Sequence, residues 1–297
     1  MTLMDSTLVP NADALALFLA TLNRQSAHHI GYCGEDAQEI LAVLEEDFMS
    51  GGSLAERFTV LLDAEGCMRG ALGFDVDEEN RSAEVWGPFL NTEEDWERQA
   101  GLLWEQGIAK LAGQVDHYYG FVNEENVRSL AFFTKIGAVR RGTHHVLRIF
   151  KEQEFTGTSN VQEWSVGDRE SFSHLHEQMF PGTYLSAKDI LERLDEHHQL
   201  FVLKDENRLI GYVYGEGNPT FQEGSIEYLA VDPTYRQKGH GRALLERALR
   251  FLLHEIQLDE LTLCVEASND SAISLYLQAG FQPVHKLVLF ELHTTAG

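Results

Sequence analysis

The sequence predicts an α/β fold made of two copies of one module. Three observations predict it. Strand-like and helix-like patterns alternate along all 297 residues, a length that suits two ordinary domains. The alternation breaks at the polar stretch 151–160, KEQEFTGTSN, and then restarts. Residues of the first half recur in the second at a fixed step: Asn126 and Gly137 match Asn269 and Gly280, both 143 positions on, and the same step pairs Glu84 in SAEVWGPF with Glu227 in SIEYLAVD. A hairpin repeats at 141 positions, pairing Leu62 with Leu203, Glu65 with Glu206 and Gly70 with Gly211. The expected domains are 1–152 and 160–297.

Residues 1–10 look like a frayed terminus. Asn11 or Asp13 can cap a helix carrying Leu15, Phe18, Leu19 and Leu22 at helical spacing. A second helix is expected near 36–48, with Ile40, Leu41, Leu44 and Phe48 inward. Residues 58–62 and 68–76 read as a hairpin around Asp63-Ala64-Glu65-Gly66, and 83–90 as another strand. Ala100, Leu103, Trp104 and Ile108 mark one face of a helix at 96–112. Strand 118–122, helix 127–135 and strand 146–150 complete the half. The second half restarts with a strand at 161–166 and a helix opened by Asp168, carrying Phe172, Leu175, His176 and Met179. A loop at 180–184, a helix at 187–197 and strands at 200–203 and 209–214 follow. After residues 225–245 come strand 261–267, helix 270–279 and a last strand at 286–292.

Composition narrows the function. Hydrophobic residues make up 43% of the chain, which supports packed cores. A net charge of −24, with an isoelectric point of about 4.8, argues against a broad nucleic-acid surface. Such a field draws cationic acceptors such as amines, or simply serves solubility. Cys33, Cys67 and Cys264 lie far apart without a C-x-x-C, which fits a reducing cytoplasm and gives no zinc framework. The pairs His28-His29, His144-His145 and His197-His198 point their side chains different ways, and no H-E-x-x-H occurs, so no metal is expected. The apolar run 14–22 is far too short to span a membrane and has no basic region before it, so neither a signal peptide nor a membrane helix is expected.

The second half is organised around Ser225 to Leu245, SIEYLAVDPTYRQKGHGRALL. Ile226, Tyr228, Leu229 and Val231 form an apolar strand carrying one acid, Glu227, and Asp232-Pro233 ends it. Arg236, Gly239 and Gly241 follow, then a helix with Leu244, Leu245, Ala248, Leu249 and Leu252 on one face. Strand, glycine loop and helix start together make an anion site, because the first helical amides are unpaired and the helix dipole is positive there. A Walker loop would need G-K followed by Ser or Thr, and a dinucleotide fingerprint a third glycine at Leu244.

The remaining match is to a coenzyme A loop. Arg236-Gln237-Lys238-Gly239-His240-Gly241, after this strand, resembles the Q/R-x-x-G-x-G/A signature of the GNAT N-acetyltransferases. Downstream, VEASNDSAISLYLQAGF at 265–281 resembles the family's N-x-x-A-x-x-L-Y-x-x-x-G-F. The resemblance covers about 161–292. It implies two tandem GNAT-like domains, each a mixed, mostly antiparallel twisted sheet flanked by helices. It implies acetyl-CoA as cosubstrate and no metal. The pantetheine arm would run along the backbone of Leu229, Ala230 and Val231. The phosphates would meet Arg236, Gln237, Lys238, Gly239, His240, Gly241 and Arg242, and Asn269 and Tyr276 would also contact the cofactor. The acceptor would be an amine of a small molecule or peptide, as in the ribosomal-protein alanine type or the two-module mycothiol-type synthases. Neither nucleic acid nor membrane is an expected partner. A cytoplasmic monomer built as a pseudo-dimer, or a homodimer, is expected.

Acetyl transfer to an amine needs the neutral amine, so a base must take its proton. Glu227 is the candidate, and strict alternation would put it on one face with Leu229 and Val231. The resemblance gives the oxyanion a backbone N–H near Leu229 and makes Tyr276 the proton donor to the leaving thiolate. No cysteine or serine stands in a nucleophile setting, and Cys264 is expected inside a buried strand. Arg236, Lys238, Arg242, Arg247 and Arg250 either hold the anion or form a solvated basic face. Thr183, Tyr184, Ser186, Tyr212, Tyr214, Phe221 and Glu223 are candidates for the acceptor pocket. In the first half Phe133 stands at the place of Tyr276, and Trp96 and Arg98 of the acidic segment 93–98 stand at those of Gly239 and Gly241. That half is expected to be a degenerate, structural domain. The rival is a degenerate acyl-CoA sensor, which would need the phosphate loop but not Glu227 or Tyr276.

Overall fold

The computed structural model describes residues 11–49, 53–152 and 160–294. The expected frayed start and most of the 151–160 linker lie outside them. By its contacts the chain divides into two compact units, residues 1–144 with 285–297, and residues 145–284. The end of the chain thus groups with the first unit.

Unit 1 begins with α1 (Ala12–Asn23), whose cap is Asn11: its side chain accepts the Ala14 amide at 2.9 Å. Asp36 caps α2 (Ala37–Val43) in the same way, and a π-helical turn, Leu44–Phe48, extends it. Next come α3 (Leu54–Arg57), β1 (Phe58–Leu62), β2 (Met68–Asp77) and β3 (Ser82–Leu90). Then follow α4 (Trp96–Lys110), β4 (His117–Asn123), α5 (Val127–Lys135) and β5 (Val139–Phe150), which passes from unit 1 into unit 2 after His144. Asn126 caps α5 through the Ser129 amide.

Unit 2 contains β6 (Gln162–Glu163), α6 (Arg169–Met179), α7 (Ala187–Arg193), β7 (His198–Asp205), β8 (Arg208–Asn218) and β9 (Glu223–Val231). It continues through α8 (His240–Leu249), a π-helical turn Arg250–Glu255, β10 (Glu260–Glu266) and α9 (Asp270–Ala279). The last strand, β11 (Gln282–His293), leaves unit 2 and runs mostly in unit 1. Two expected elements are shorter than read. The strand at 161–166 shrinks to β6 because Ser165 and Asp168 form a capping box, with Asp168 Oδ2 accepting the Ser165 amide at 3.1 Å and its hydroxyl at 2.8 Å. The helix at 187–197 ends at Arg193 because Asp195 Oδ1 accepts the amides of His197 and His198 and turns the chain into β7.

In unit 1 the strand order is β1-β2-β3-β4-β11, antiparallel except for the β3–β4 pair. In unit 2 it is β5-β10-β9-β8-β7-β6, with β9 and β10 parallel. Unit 1 packs one core, in which Phe58, Phe74, Trp86, Trp104 and Phe132 are buried. Unit 2 buries two. Leu244, Leu245, Ala248, Leu261 and Tyr276 belong to the core of α8 and α9. Phe172, Leu175, Ile190, Tyr212, Tyr214 and Tyr228 belong to that of α6 and α7.

Candidate active site

In unit 2 the parallel strands part early. β9 and β10 pair only at Glu223–Glu260, Gly224–Leu261 and Ser225–Thr262, while residues 228–231 stay paired to β8 on the other side. From Ile226 onward one edge of β9 therefore has no register partner in β10 among the described residues, which leaves room for an added extended chain. Leu229, Ala230 and Val231 lie on that edge.

A bulge stands at the parting. Tyr214 pairs with Tyr228 and Gly215 with Ile226, so Glu227 is the extra residue. Alternation, which would put Glu227 on one face with Leu229 and Val231, is interrupted at Glu227 itself. Ile226 accordingly joins the α8 core alongside Leu229 and Val231. Burial pushes the Glu227 carboxyl up to about 7, the range of a working general base.

The loop between α6 and α7 is stapled above it. His176 is buried in the α6 face; its Nδ1 accepts from the Tyr212 hydroxyl at 2.6 Å and its Nε2 donates to the Leu185 carbonyl at 2.9 Å. Thr183 Oγ1 and the Tyr228 hydroxyl share a 2.7 Å hydrogen bond. Tyr184, held between these ties and stacked on Tyr228, donates its hydroxyl to Glu227 Oε2. Of the pocket candidates, Thr183 and Tyr184 thus reach the site. Tyr212 and Tyr214 are fully buried in the α6–α7 core and line nothing, and Ser186 is the cap of α7. His176 and Tyr228 were missed as organisers of the loop; the pattern Phe180-Pro181-Gly182 signals a turn there but not what it rests on.

The glycine loop divides its work. Gly239 caps α8 in the left-handed region, with φ of 83° and open space where a Cβ would go. Gly241 lies inside α8, where an added Cβ would stand 3.4 Å from Leu275. Gly239 therefore sets the turn, while at Gly241 a Cβ alone would meet Leu275 at ordinary contact distance. Gln237, with φ of 61°, helps to coil the loop. Arg236 Nε donates to the Val231 carbonyl at 3.0 Å, and Lys238 lies over the Tyr235 ring. Arg242 pairs with Glu246 at 2.7 Å, while Arg247 pairs with Glu255 at 3.0 Å and stacks on Phe201, a structural role. His240 is the first residue of α8, whose opening amides point into the loop.

Asn269 caps α9 by accepting the Ala272 amide at 3.2 Å, and Gly280 ends the helix with φ of 106°. This fixes Tyr276, which is buried against Phe281; burial pushes its hydroxyl up to about 12, so it stays protonated at neutral pH. Cys264 is solvent-exposed on β10 rather than buried as expected. The groups around it and the Glu227 carboxylate nonetheless push its thiol up to about 12, so it is not a thiolate nucleophile.

Unit 1 repeats this plan with different residues. Asp95, with φ of 52°, caps α4 where Gly239 caps α8, so the structural match to Gly239 is Asp95 and not Trp96. A cavity of about 1120 Å³ opens there, walled by Trp96, Trp104 and Phe132. Three of the four acids that line it are paired: Asp95 with Arg98 at 3.2 Å, Glu93 with Arg128 at 3.4 Å and Glu97 with Lys135 at 2.9 Å. Repulsion of an anion is thus weaker than the bare acidic segment suggests. Burial and Asp75 push Glu84 up to about 7.

Unit 2 thus combines a twisted, mostly antiparallel sheet with a parted parallel pair, a glycine-capped helix beyond it, the partly buried Glu227 carboxyl and the buried Tyr276. The Acetyltransferase (GNAT) family model matches residues 169–281, so this part of the chain carries a GNAT domain. An N-alpha-acetyltransferase of Sulfurisphaera tokodaii is 32% identical over 108 residues, 33% of this chain and 65% of that one. A mycothiol acetyltransferase of Propionibacterium freudenreichii is 33% identical over 91 residues, 29% of this chain and 28% of that one. The N-alpha-acetyltransferase 30 of Xenopus laevis is 38% identical over 73 residues, 25% and 26% of the two chains. The matched segments thus span less than two thirds of these relatives. Over nearly its full length the chain shares the fold of a GCN5-related N-acetyltransferase from Sphaerobacter thermophilus (TM-score 0.77, 19% identity, 98% and 97% covered). It shares it also with a tandem GNAT protein from the clavulanic acid biosynthesis pathway (TM-score 0.65, 13% identity, 100% and 98% covered).

Proposed function

We propose that unit 2 is an acetyl-CoA-dependent N-acetyltransferase, acting in the cytoplasm on a primary amine of a small molecule or peptide. The observation that carries this is Glu227, a carboxylate raised to about 7 by burial at the bulge where β9 leaves β10. The left-handed Gly239 and the open amides of α8 suit the cofactor's pyrophosphate. Acetyl-CoA supplies the activated acetyl group as a thioester. Glu227 takes the proton of the amine, directly or through water, as the amine attacks in a ternary complex. The Leu229 amide, on the free edge of β9, stabilises the oxygen that gains charge. Tyr276 gives its proton to the departing sulfur, and Glu227 and Tyr276 are reset by exchange with solvent. The relatives' names support an amine on a peptide N-terminus or on a small molecule. Unit 1 is proposed to be structural.

Thiol release from acetyl-CoA, measured with a panel of amines and peptides, tests this. Amine-dependent release is expected with at least one primary amine. Cofactor binding without release on any of them would favour the sensor.

A further inference from the structure

We infer that unit 1 binds one divalent transition-metal ion of the zinc class through His117, Glu291 and His293. His117 opens β4 and stands directly across from His293 of β11, and Glu291, two residues earlier, projects from the same side of the ladder. Glu291 Oε1 lies 2.8 Å from His293 Nε2 and 3.5 Å from His117 Nδ1, and the three ligand atoms fall within 4.8 Å of one another. Two ligand atoms at about 2.1 Å on a tetrahedral ion stand about 3.4 Å apart, so these gaps bracket the required one.

His117 Nδ1 is buried, and Glu291 Oε1, 3.5 Å away, does not meet it in good hydrogen-bond geometry. A buried nitrogen without a well-placed partner is costly, and an ion beside it would remove the cost. The two rings meet edge to face, with centroids 4.2 Å apart at 70°. One can therefore offer Nδ1 and the other Nε2 to a common point. Arg141 Nε donates to Glu291 Oε2 at 2.5 Å, which fixes the carboxylate and leaves Oε1 for the ion. The other nearby guanidinium, Arg81, is engaged by Asp116 at 2.7 Å. His293 is half exposed, so an ion can reach the cluster from solvent.

A second His-Glu-His cluster in the same unit differs in the way that matters. Asn123 Nδ2 faces His285 Nδ1 at 3.1 Å, and Asn123 Oδ1 is fixed by the Glu125 amide, so Asn123 is the donor. His285 Nε2 then carries the ring's proton and donates it to Glu35 at 2.9 Å. That cluster is closed by hydrogen bonds and serves as the control. An ion at the first site would clasp the start of β4 to the end of β11, displacing the proton that His293 Nε2 shares with Glu291.

The test is a zinc titration of the intact chain in competition with a chromophoric chelator, repeated with cobalt read by its visible absorption. One equivalent is expected in the wild type, with affinity at least about 100-fold weaker in Glu291→Gln and in His293→Gln, and unchanged in His285→Gln. Zinc should raise the wild-type Tm by about 5 °C at a hundredfold excess over Kd, and not that of Glu291→Gln. If Glu291→Gln does not fold, the exposed His293 carries the comparison. No binding in the wild type at micromolar zinc would overturn the inference. So would binding that survives Glu291→Gln and His293→Gln, or binding that disappears in His285→Gln.

Discussion

Glu227 owes its raised pKa to burial alone, without a charged neighbour. That matters for catalysis, because a base raised by desolvation keeps its driving force once the site closes. The Tyr184 hydroxyl now holds the carboxylate, so an acceptor amine has to displace it. Tyr276 is the complementary group, a buried phenol held protonated. Tyr276→Phe keeps the ring packed on Phe281 and removes only the acid. It should lower kcat by about 10–10³-fold with stability nearly intact. Pre-steady-state kinetics, which isolate the chemical step, check this; an unchanged chemical rate would return Tyr276 to packing.

At the scale of elements, the proposed cofactor site rests on α8 and its loop. Gly241→Val would press a branched side chain onto Leu275 and crowd the first turn of α8. Coenzyme A affinity should fall by at least about 100-fold in a folded variant, measured by isothermal titration. Near-normal affinity would remove the glycine loop from the site. What was legible in the sequence is what is local. The caps Asn126 and Asn269, and the left-handed Gly137 and Gly280, stand where the 143-residue step puts them, because capping chemistry is written within a few residues. The step slips by one at the loop, where Asp95 and not Trp96 takes the left-handed position, since a single insertion leaves no mark in an apolar pattern. The bulge at Glu227 was not legible because it is a property of the pairing with β8. Nor was the tie of His176 to Tyr212 and Leu185, or the meeting of His117 with His293, which depends on β11 pairing with β4.

For the whole molecule, one working site in unit 2 and a structural role for unit 1 are proposed. Phe133 is buried beside Phe290 at the place of Tyr276, and it has no proton to give. Glu84 keeps a raised pKa, but a base without a bound thioester has nothing to act on. The intact chain should therefore bind one coenzyme A, and the Gly241→Val variant none. Two sites, or one that survives the substitution, would show cofactor in unit 1. The most direct measurement of the central claim is the pH profile of kcat/KM for wild type and Glu227→Gln on the same amine. Glu227 works when deprotonated, so the wild-type rate should rise through an inflection near pH 7 and level above it. The amine's own ionisation is common to both proteins and cancels in their ratio. The variant should lack that inflection and lie about 10²–10⁴-fold lower at pH 8, with coenzyme A affinity little changed. A loss of less than about tenfold across pH 6–9, with the inflection retained, would contradict the assignment of Glu227 as the base.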